Sequence, residues 1–378
     1  MEDAAAENEA RLTNHESRHT KGGLHMKLTD LSNQSGEWLS GTGPQHEIVV
    51  SSRVRLARNV ASYPFMSKAN RLQRTELHKL CRERLLGLPQ GRQVFYVDME
   101  KTDEIDRQML VERHLISKQH AAGEGSRGVA IANDEAVSVM VNEEDHLRVQ
   151  VLRSGLQLKE AWTEADRLDD ALQEHLDFAF SQRFGFLTAC PTNLGTGLRV
   201  SVMLHLPALK MTGEIEKVFR ATKDMHLAVR GLYGEGTEAI GDFYQISNQT
   251  TLGRSEQEIL NEFADTIIPR IIMAEESARQ VLENERPLAL DDKIGRAIGV
   301  LKYARLLSSE ETLFFLSHLR LGVVMKRVTG LDLAAINSLF LQTQPAHLQR
   351  FMGKALDGDV RKAARAEFVR GRIGKNNL

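Results

Sequence analysis

Three apolar runs, at residues 129–132, 137–141 and 147–151, lie so close together that they leave this chain few ways to fold. The first two are separated by a turn at Asn133 and Asp134. In the second, Val137, Val139 and Val141 alternate with other residues, and Leu147, Val149 and Val151 repeat the alternation. A period of two places one set of side chains on one face of a strand. Connections this short join only antiparallel neighbours, because a parallel crossover needs about a dozen residues or more. A doubly wound parallel sheet is therefore excluded. The expected class is α+β, with an antiparallel sheet flanked by helices.

The remaining pattern fits that class. Further short β-runs stand at 48–50, 94–97, 185–189, 198–204, 227–229 and 243–246. Helical spacing covers 70–86, 213–224 and a long stretch at 157–184, where Leu158, Trp162, Ala165, Leu168, Leu172 and Leu176 share a face. Ser255 and Glu258 make a capping box that opens a helix expected over 255–282. Everything from 288 to 377 reads as helix. The chain is thus divided near 280, into an antiparallel α/β unit at 27–280 and a small all-helical domain at 281–378. Residues 1–26 are polar, mixed in charge and without apolar period, and read as a disordered tail or an upstream extension before Met26. A short amphipathic helix is expected within 28–39, before Gly41, Thr42, Gly43 and Pro44 break the chain.

Composition narrows the function. A length of 378 residues suggests about two domains. With 42% hydrophobic and 26% charged residues the chain can build a core. No stretch nears the ~18 uninterrupted apolar residues of a membrane span, and the N-terminus lacks the apolar centre of a secretory signal. Two cysteines, Cys81 and Cys190, exclude a disulfide framework and point to a reducing, cytoplasmic compartment. Lys and Arg number 49 against 51 Asp and Glu, a net charge of -2. That balance argues against direct nucleic-acid binding, which needs a basic excess. Any anion site must come from local clustering of arginines.

No P-loop, dinucleotide fingerprint, protein-kinase HRD/DFG pair, HExxH or GxSxG motif is present. Four other segments stand out. SSRVRLAR at 51–58 places Arg53 and Arg55 two apart in an extended run, so both forks point to one face and suit an oligophosphate; a solvated basic edge strand is the plainer reading. VNEEDHLR at 141–148 packs three carboxylates into a strand–turn–strand element, which could equally be a polar surface turn. CPTNLGTGLR at 190–199 ends a strand with a cysteine and leads through two glycines, which allow close backbone approach to an anion, to an arginine. The cysteine alone could be a core thiol. RGLYGEGTE at 230–238 is a glycine-rich loop with one cation and two carboxylates, either a surface connection or a lid.

Together, and in this order, the four segments resemble the phosphagen kinases, the ATP:guanido phosphotransferases, over roughly residues 46–280. SVMVNEEDH, RGLYGEGTEA and YQISNQTTLG are similar to the protein-arginine kinases within that superfamily. Metabolic phosphagen kinases place a helical domain of about a hundred residues before the catalytic domain. Here the first arginine strand begins at residue 51, which leaves a cleft that a protein-borne arginine could enter.

The resemblance implies a phosphagen-kinase-like catalytic domain that moves the γ-phosphoryl group of ATP, with Mg²⁺, to arginine side chains of proteins. It assigns ATP binding to Ser51, Ser52, Arg53, Val54, Arg55, His114, Arg148, Arg199, Val200, Ser201, Val202 and Met203. The same role extends over Arg230, Gly231, Leu232, Tyr233, Gly234 and Glu235, with His114 near the adenine. It makes Glu144, Glu235 and Cys190 the acceptor-side catalytic groups, and no protein side chain a metal ligand. It further implies a homodimer, a zinc-binding activator protein, a Clp ATPase/protease and a heat-shock repressor as partners, and a role in stress response. Protein-arginine kinases carry an RDxxRA motif that binds phosphoarginine allosterically. The match here is Arg361, Lys362, Arg365 and Ala366, with lysine where the acid stands. That lysine would repel the bound guanidinium; a solvated basic helix end is the other reading.

The chemistry suits these residues. A guanidinium is a poor nucleophile, because its lone pairs are delocalised and it holds its proton above pH ~12. Two carboxylates can grip the planar fork, and one can accept the proton. Glu144 and Glu235 are not distinguished in this. A thiolate at Cys190, favoured by nearby guanidinium groups, would add negative charge beside the cationic acceptor. Two other functions remain open from sequence: a kinase for free arginine or another small guanidine, and an inactive phosphoarginine-reading adaptor.

Overall fold

The computed structural model describes residues 28–31, 34–88, 93–231 and 240–374. The tail expected over 1–26 lies outside them. The expected amphipathic helix over 28–39 is instead two short pieces, Leu28–Leu31 and a 3-10 turn at Glu37–Leu39.

The strands are β1 (Val49–Arg58), β2 (Val94–Asp98), β3 (Gly128–Ala132), β4 (Val137–Val141), β5 (Leu147–Ser154), β6 (Leu198–His205), β7 (Leu227–Arg230) and β8 (Phe243–Asn248). They form an eight-stranded sheet in the order β2-β3-β4-β5-β1-β6-β8-β7, and each pairing is antiparallel. The antiparallel sheet inferred from the short turns is therefore present. β1 is much longer than its apolar start suggested, because its later positions hold arginines on one face and Val54 and Leu56 on the other.

Helices α1 (Arg71–Gly87), α2 (Glu104–Glu112), α3 (Lys118–Ala122), α4 (Leu158–Gln173), α5 (Pro207–Thr212) and α6 (Ile215–Asp224) interleave with the strands. Asn70 closes a capping box with Gln73 at the start of α1, which fixes that boundary. α4 lays Leu158, Ala161, Ala165, Leu168 and Leu172 on the sheet against β1 and β5. It ends at Gln173, well short of the expected 184. The chain beyond it becomes extended and makes a two-stranded ribbon, Phe180–Ser181 with Gly185–Phe186. Leu176 and Phe178 remain in the core, so apolar spacing persists where the helix does not.

Ser255 and Glu258 make the expected capping box at α7 (Glu256–Asn261). A π-helical segment, Glu262–Ile267, passes into α8 (Ile268–Glu285), whose second residue is Pro269. A proline here cannot donate to the ladder, and a π turn re-registers the backbone around such a position. The division expected after residue 280 falls inside α8. The helix breaks at Arg286, φ -134, immediately before Pro287 opens the next one. Then follow α9 (Pro287–Tyr303), α10 (Ser309–Val324), α11 (Leu333–Gln342), α12 (Pro345–Met352) and α13 (Gly358–Ile373). No helix among the described residues is long and apolar enough to cross a membrane.

The helical domain is fused to the sheet by one core cluster that runs from Val54 and Val200 to Leu319 and Val369. A buried arginine crosses the junction. Arg320 of α10 donates to the carbonyls of Glu47 (2.8 Å) and His46 (2.6 Å), to His205 Nδ1 (2.9 Å) and to Asn337 Oδ1 (3.3 Å). His205, at the end of β6, stacks on Phe243, which meets Phe340 of α11 edge-on. Burial and the Arg320 and Arg279 charges keep His205 neutral. Truncation Arg320→Ala takes the donor from the His46 carbonyl and from His205 Nδ1 and leaves the Glu47 carbonyl only the longer bond from Arg279 at 3.3 Å. It is expected to lower stability by about 3 kcal/mol or more, read as a shift in the urea midpoint at unchanged slope.

Candidate active site

Strand register assembles the site. Arg55 lies opposite Gln150 of β5 and Arg199 of β6; Arg53 lies opposite Leu152 and Ser201; Ala57 lies opposite Arg148. On the far side Gln245 of β8 pairs with both Met203 and Arg230. Residues paired in register share a face. Arg53, Arg55, Arg148, Arg199 and Arg230 therefore project from one side of the sheet, together with Ser51, Ser201 and Met203. The intervening residues Ser52, Val54, Val200 and Val202 turn to the other side and are fully buried. Their side chains cannot meet a ligand on the arginine face. Ser52 Oγ instead donates to the Gly155 carbonyl (2.8 Å) and accepts from the Gln157 amide (3.0 Å). The third arginine of the first motif, Arg58, also turns away. It pairs with Asp169 of α4 at 2.7 Å and lies 3.6 Å over the Phe186 ring.

Crowded guanidinium groups shift one another. Arg53 is pushed down to about 9, first by burial and then by Arg199, Arg148 and Arg230. Arg55 is lowered by burial and then by Arg53, Arg148 and Arg199. Arg53 has neutral partners, Ser201 Oγ at 3.1 Å and Gln245 Oε1 at 2.6 Å, and Arg55 Nε is buried with no hydrogen-bond partner among the described residues. A compact polyanion would supply the missing acceptor and offset the repulsion, so the residues fit an oligophosphate.

His114 lines a small cavity with Trp38, Ser51, Arg53, Ser201 and Gln245. It follows α2 in the left-handed conformation, φ 58. Its carbonyl accepts from Gln150 Nε2 (2.7 Å) and its ring meets Trp38 edge-on at 5.1 Å. Burial, then the Arg53 charge, lowers its pKa to about 3, so the imidazole is neutral.

The turn at 142–146 separates its acids by job. Glu144 is part-exposed and accepts from Arg148 Nη2 at 3.1 Å. Glu143 is buried, pairs with Arg148 Nη1 at 2.8 Å, accepts from Ser117 Oγ at 2.6 Å and receives the Glu144 amide at 3.1 Å. Asp145, also buried, accepts from Asn59 Nδ2 (2.6 Å) and from the Ala189 amide (2.7 Å), one residue before Cys190. The turn thus holds Arg148, Glu144 and the cysteine loop in one frame. The sequence placed all three acids in one motif but did not separate them; Asn59, Ser117, Gln150 and Gln245 were not expected at all.

Cys190 is half-buried, with Sγ 3.0 Å from Thr192 Oγ1, before a 3-10 turn at Pro191–Asn193. The glycines that follow serve the fold. Gly197, φ +66, has Ala57 O only 2.6 Å from where a Cβ would stand, and its carbonyl accepts the Ala57 amide. Gly231 follows β7 and is buried. Leu232, Tyr233, Gly234 and Glu235 lie outside the described residues. Among the described residues no three His, Cys, Asp or Glu side chains converge as a metal-binding group.

At the C-terminal motif, Arg365 is buried in α13. It donates from Nε to the Thr343 carbonyl (2.7 Å) and from Nη1 to the Leu307 carbonyl (2.9 Å), while Nη2 is buried without a partner among the described residues. Burial, then Arg361, lowers its pKa to about 10. Arg361 reaches the Leu356 carbonyl at 3.3 Å, Lys362 is exposed and pairs with Asp359, and Ala366 is fully buried.

The family described as ATP:guanido phosphotransferase, C-terminal catalytic domain, matches residues 76–278, and the protein-arginine kinase McsB C-terminal domain matches residues 287–377. The protein-arginine kinase of Halothermothrix orenii is 46% identical over 92% of this chain and 99% of its own. That of Symbiobacterium thermophilum is 47% identical over 91% of this chain and 98% of its own. The chain belongs to the protein-arginine kinase family. Among solved structures, a duplicated taurocyamine kinase from Schistosoma mansoni with bound transition state analog components is 28% identical, with a TM-score of 0.57. The match takes in 68% of this chain and 36% of that one. A lombricine kinase is 28% identical with a TM-score of 0.56, over 66% of this chain and 72% of its own. The phosphagen-kinase fold of the protein-arginine kinases is therefore present here, with the helical domain after it.

Burial raises the Glu144 carboxyl, Arg148 opposes that, and Asp145 and Glu143 add to it, leaving it above its ordinary 4.5. A carboxylate that grips a cation must be ionised. Activity is therefore expected to fall as pH drops through this raised value, with an acid limb in kcat/KM centred above 4.5. His114, neutral down to about 3, is expected to add no second limb, which kinetics across about pH 5 to 8 will read.

Proposed function

We propose that this chain transfers the γ-phosphoryl group of ATP to a terminal guanidinium nitrogen of arginine in proteins, giving phosphoarginine and ADP. The observation that carries this reading is the convergence of five arginines on one sheet face, with Glu144 bonded to one of them at the rim. Arg53, Arg55, Arg148, Arg199 and Arg230 hold the phosphates and stabilise the charge that develops during transfer. Mg²⁺, when bound through the phosphate oxygens, neutralises charge between the phosphoryl groups. His114, as a neutral ring, seats the base.

Glu144 and Glu235 grip the acceptor fork. As the N–P bond forms and the Pγ–O bond to ADP breaks, the nitrogen's proton passes to one of these carboxylates. Glu235 enters on its sequence match alone. Cys190 orders the acceptor and adds negative charge beside it, without a covalent phosphocysteine. In this reading the protein works in the cytoplasm as a homodimer. A zinc-binding activator protein, a Clp ATPase/protease and a heat-shock repressor are its partners, and the modification marks proteins for degradation under stress. These cellular roles rest on the family resemblance.

The test is incubation with ATP and either a protein substrate or free arginine, followed by mass spectrometry under non-acidic conditions, because acid cleaves P–N bonds. Phosphoarginine on the protein and not on free arginine is expected. Glu144→Gln and Arg55→Met are each expected to lower kcat by about 10²-fold or more with unchanged melting. Modification of free arginine alone would favour a small-guanidine kinase. Full activity of Glu144→Gln would remove the acceptor assignment. With a lysine in the C-terminal motif and Arg365 bonded to main-chain carbonyls, titration of phosphoarginine into Glu144→Gln is expected to give no saturable heat; saturable binding would restore an allosteric site at 361–366.

A further inference from the structure

The helical domain grips α2 at both ends. At the start of α2, Arg350 of α12 reaches Asp103 Oδ2 at 2.7 Å and Asp106 Oδ1 at 2.5 Å. At its end, the Glu112 carboxylate accepts the first free amides of α12, Ala346 at 2.8 Å and His347 at 3.0 Å. It also accepts from His347 Nδ1 at 2.7 Å. A carboxylate at a helix N-terminus satisfies orphan amides and meets the positive end of the dipole. The other nitrogen of the His347 ring faces Arg113 Nη1 at 3.0 Å, a group that only donates, so Nε2 accepts and the ring is neutral. Burial, with Arg113 adding to it, keeps the His347 pKa down. Arg113 in turn is buried against Glu135.

Two residues after Glu112 the chain turns through the left-handed His114. An apolar cavity lies between Glu112, His114 and Trp38 on one side and Phe340 and Leu341 of α11 on the other. His114 is thus framed by the sheet through Gln150 and by the helical domain through Glu112.

We propose that Glu112 is a positioning residue for the nucleotide site: it locks the end of α2 onto α12 and so sets His114, which makes the C-terminal domain a structural part of base binding. The inference rests on the reading of His114 as the base end of the site. Its test is the affinity of the full-length protein for a fluorescent ADP, N-methylanthraniloyl-ADP, in Glu112→Gln, His114→Ala, the double variant and Arg350→Ala.

Glu112→Gln and His114→Ala are each expected to weaken binding about tenfold, and the double variant no further than His114→Ala alone, because residues that act through one another are not additive. Arg350→Ala cuts the clamp at the far end of α2. It is expected to lower the melting temperature while holding affinity within about twofold. Should Glu112→Gln not fold, His347→Phe enters the same cycle, since it removes the ring between Glu112 and Arg113. Multiplying effects in the double variant, wild-type affinity in Glu112→Gln, or equal weakening by Arg350→Ala would each overturn the proposal. Wild-type affinity in His114→Ala would instead remove the assignment of the base end itself.

Discussion

Like charges repel, and an antiparallel sheet whose register puts five guanidinium groups on one face must be built to tolerate that. Most of the architecture around β1 serves this end. The face opposite the arginines is dry and apolar, with Val54, Leu56, Val200 and Val202 buried there and α4 packed on β1 and β5, so the strands are fixed from behind. On the charged face the neighbours of Arg53 are neutral acceptors, which orient the fork without cancelling its charge. Arg148 is tied to carboxylates, and there one buried acid, Glu143, is spent on holding it while Glu144 stays at the rim. Burial does most to lower Arg53 to about 9, and the neighbouring guanidinium charges that add to it make the same field that would draw a triphosphate in.

A second device recurs: a glutamate from one helix caps the start of another. Glu275 of α8 accepts the Ala208 and Leu209 amides at the start of α5 and is held by Arg279. Glu112 does the same for α12. Each satisfies two orphan amides at once, and Glu275, the more buried of the two, also has its charge paired by Arg279. In both places the cap joins elements far apart in sequence, so it fixes helix orientation as well as helix ends.

What could be read from the residues was local. Alternation at 137–151 gave the hairpins; the two-residue spacing of Arg53 and Arg55 gave their shared face; Ser255 and Glu258 gave a helix start. What could not be read was pairing between strands distant in sequence. Nothing in the segment from 190 to 199 says that Arg199 stands beside Arg55, because register is set by packing of the whole sheet. Apolar pattern marks only the start of β1; the rest was legible as extended backbone from the spacing of Arg53 and Arg55. The stretch from 157 to 184 failed because Leu176 and Phe178 continue an apolar rhythm from extended backbone. The family resemblance named the arginines but is silent on which alternate residues of a motif face inward, and the pleat decides that against Val54, Val200 and Val202.

The contact between Glu112 and His347 spans 235 residues. A chain emerging from the ribosome therefore has every strand of the sheet, through Asn248, in hand long before the helix that seats the end of α2 has been made. Closing so long a loop is slow and comes late in folding. The arginine face exists before its last support, and a chain cut anywhere between residues 248 and 345 keeps the charges but not the seat.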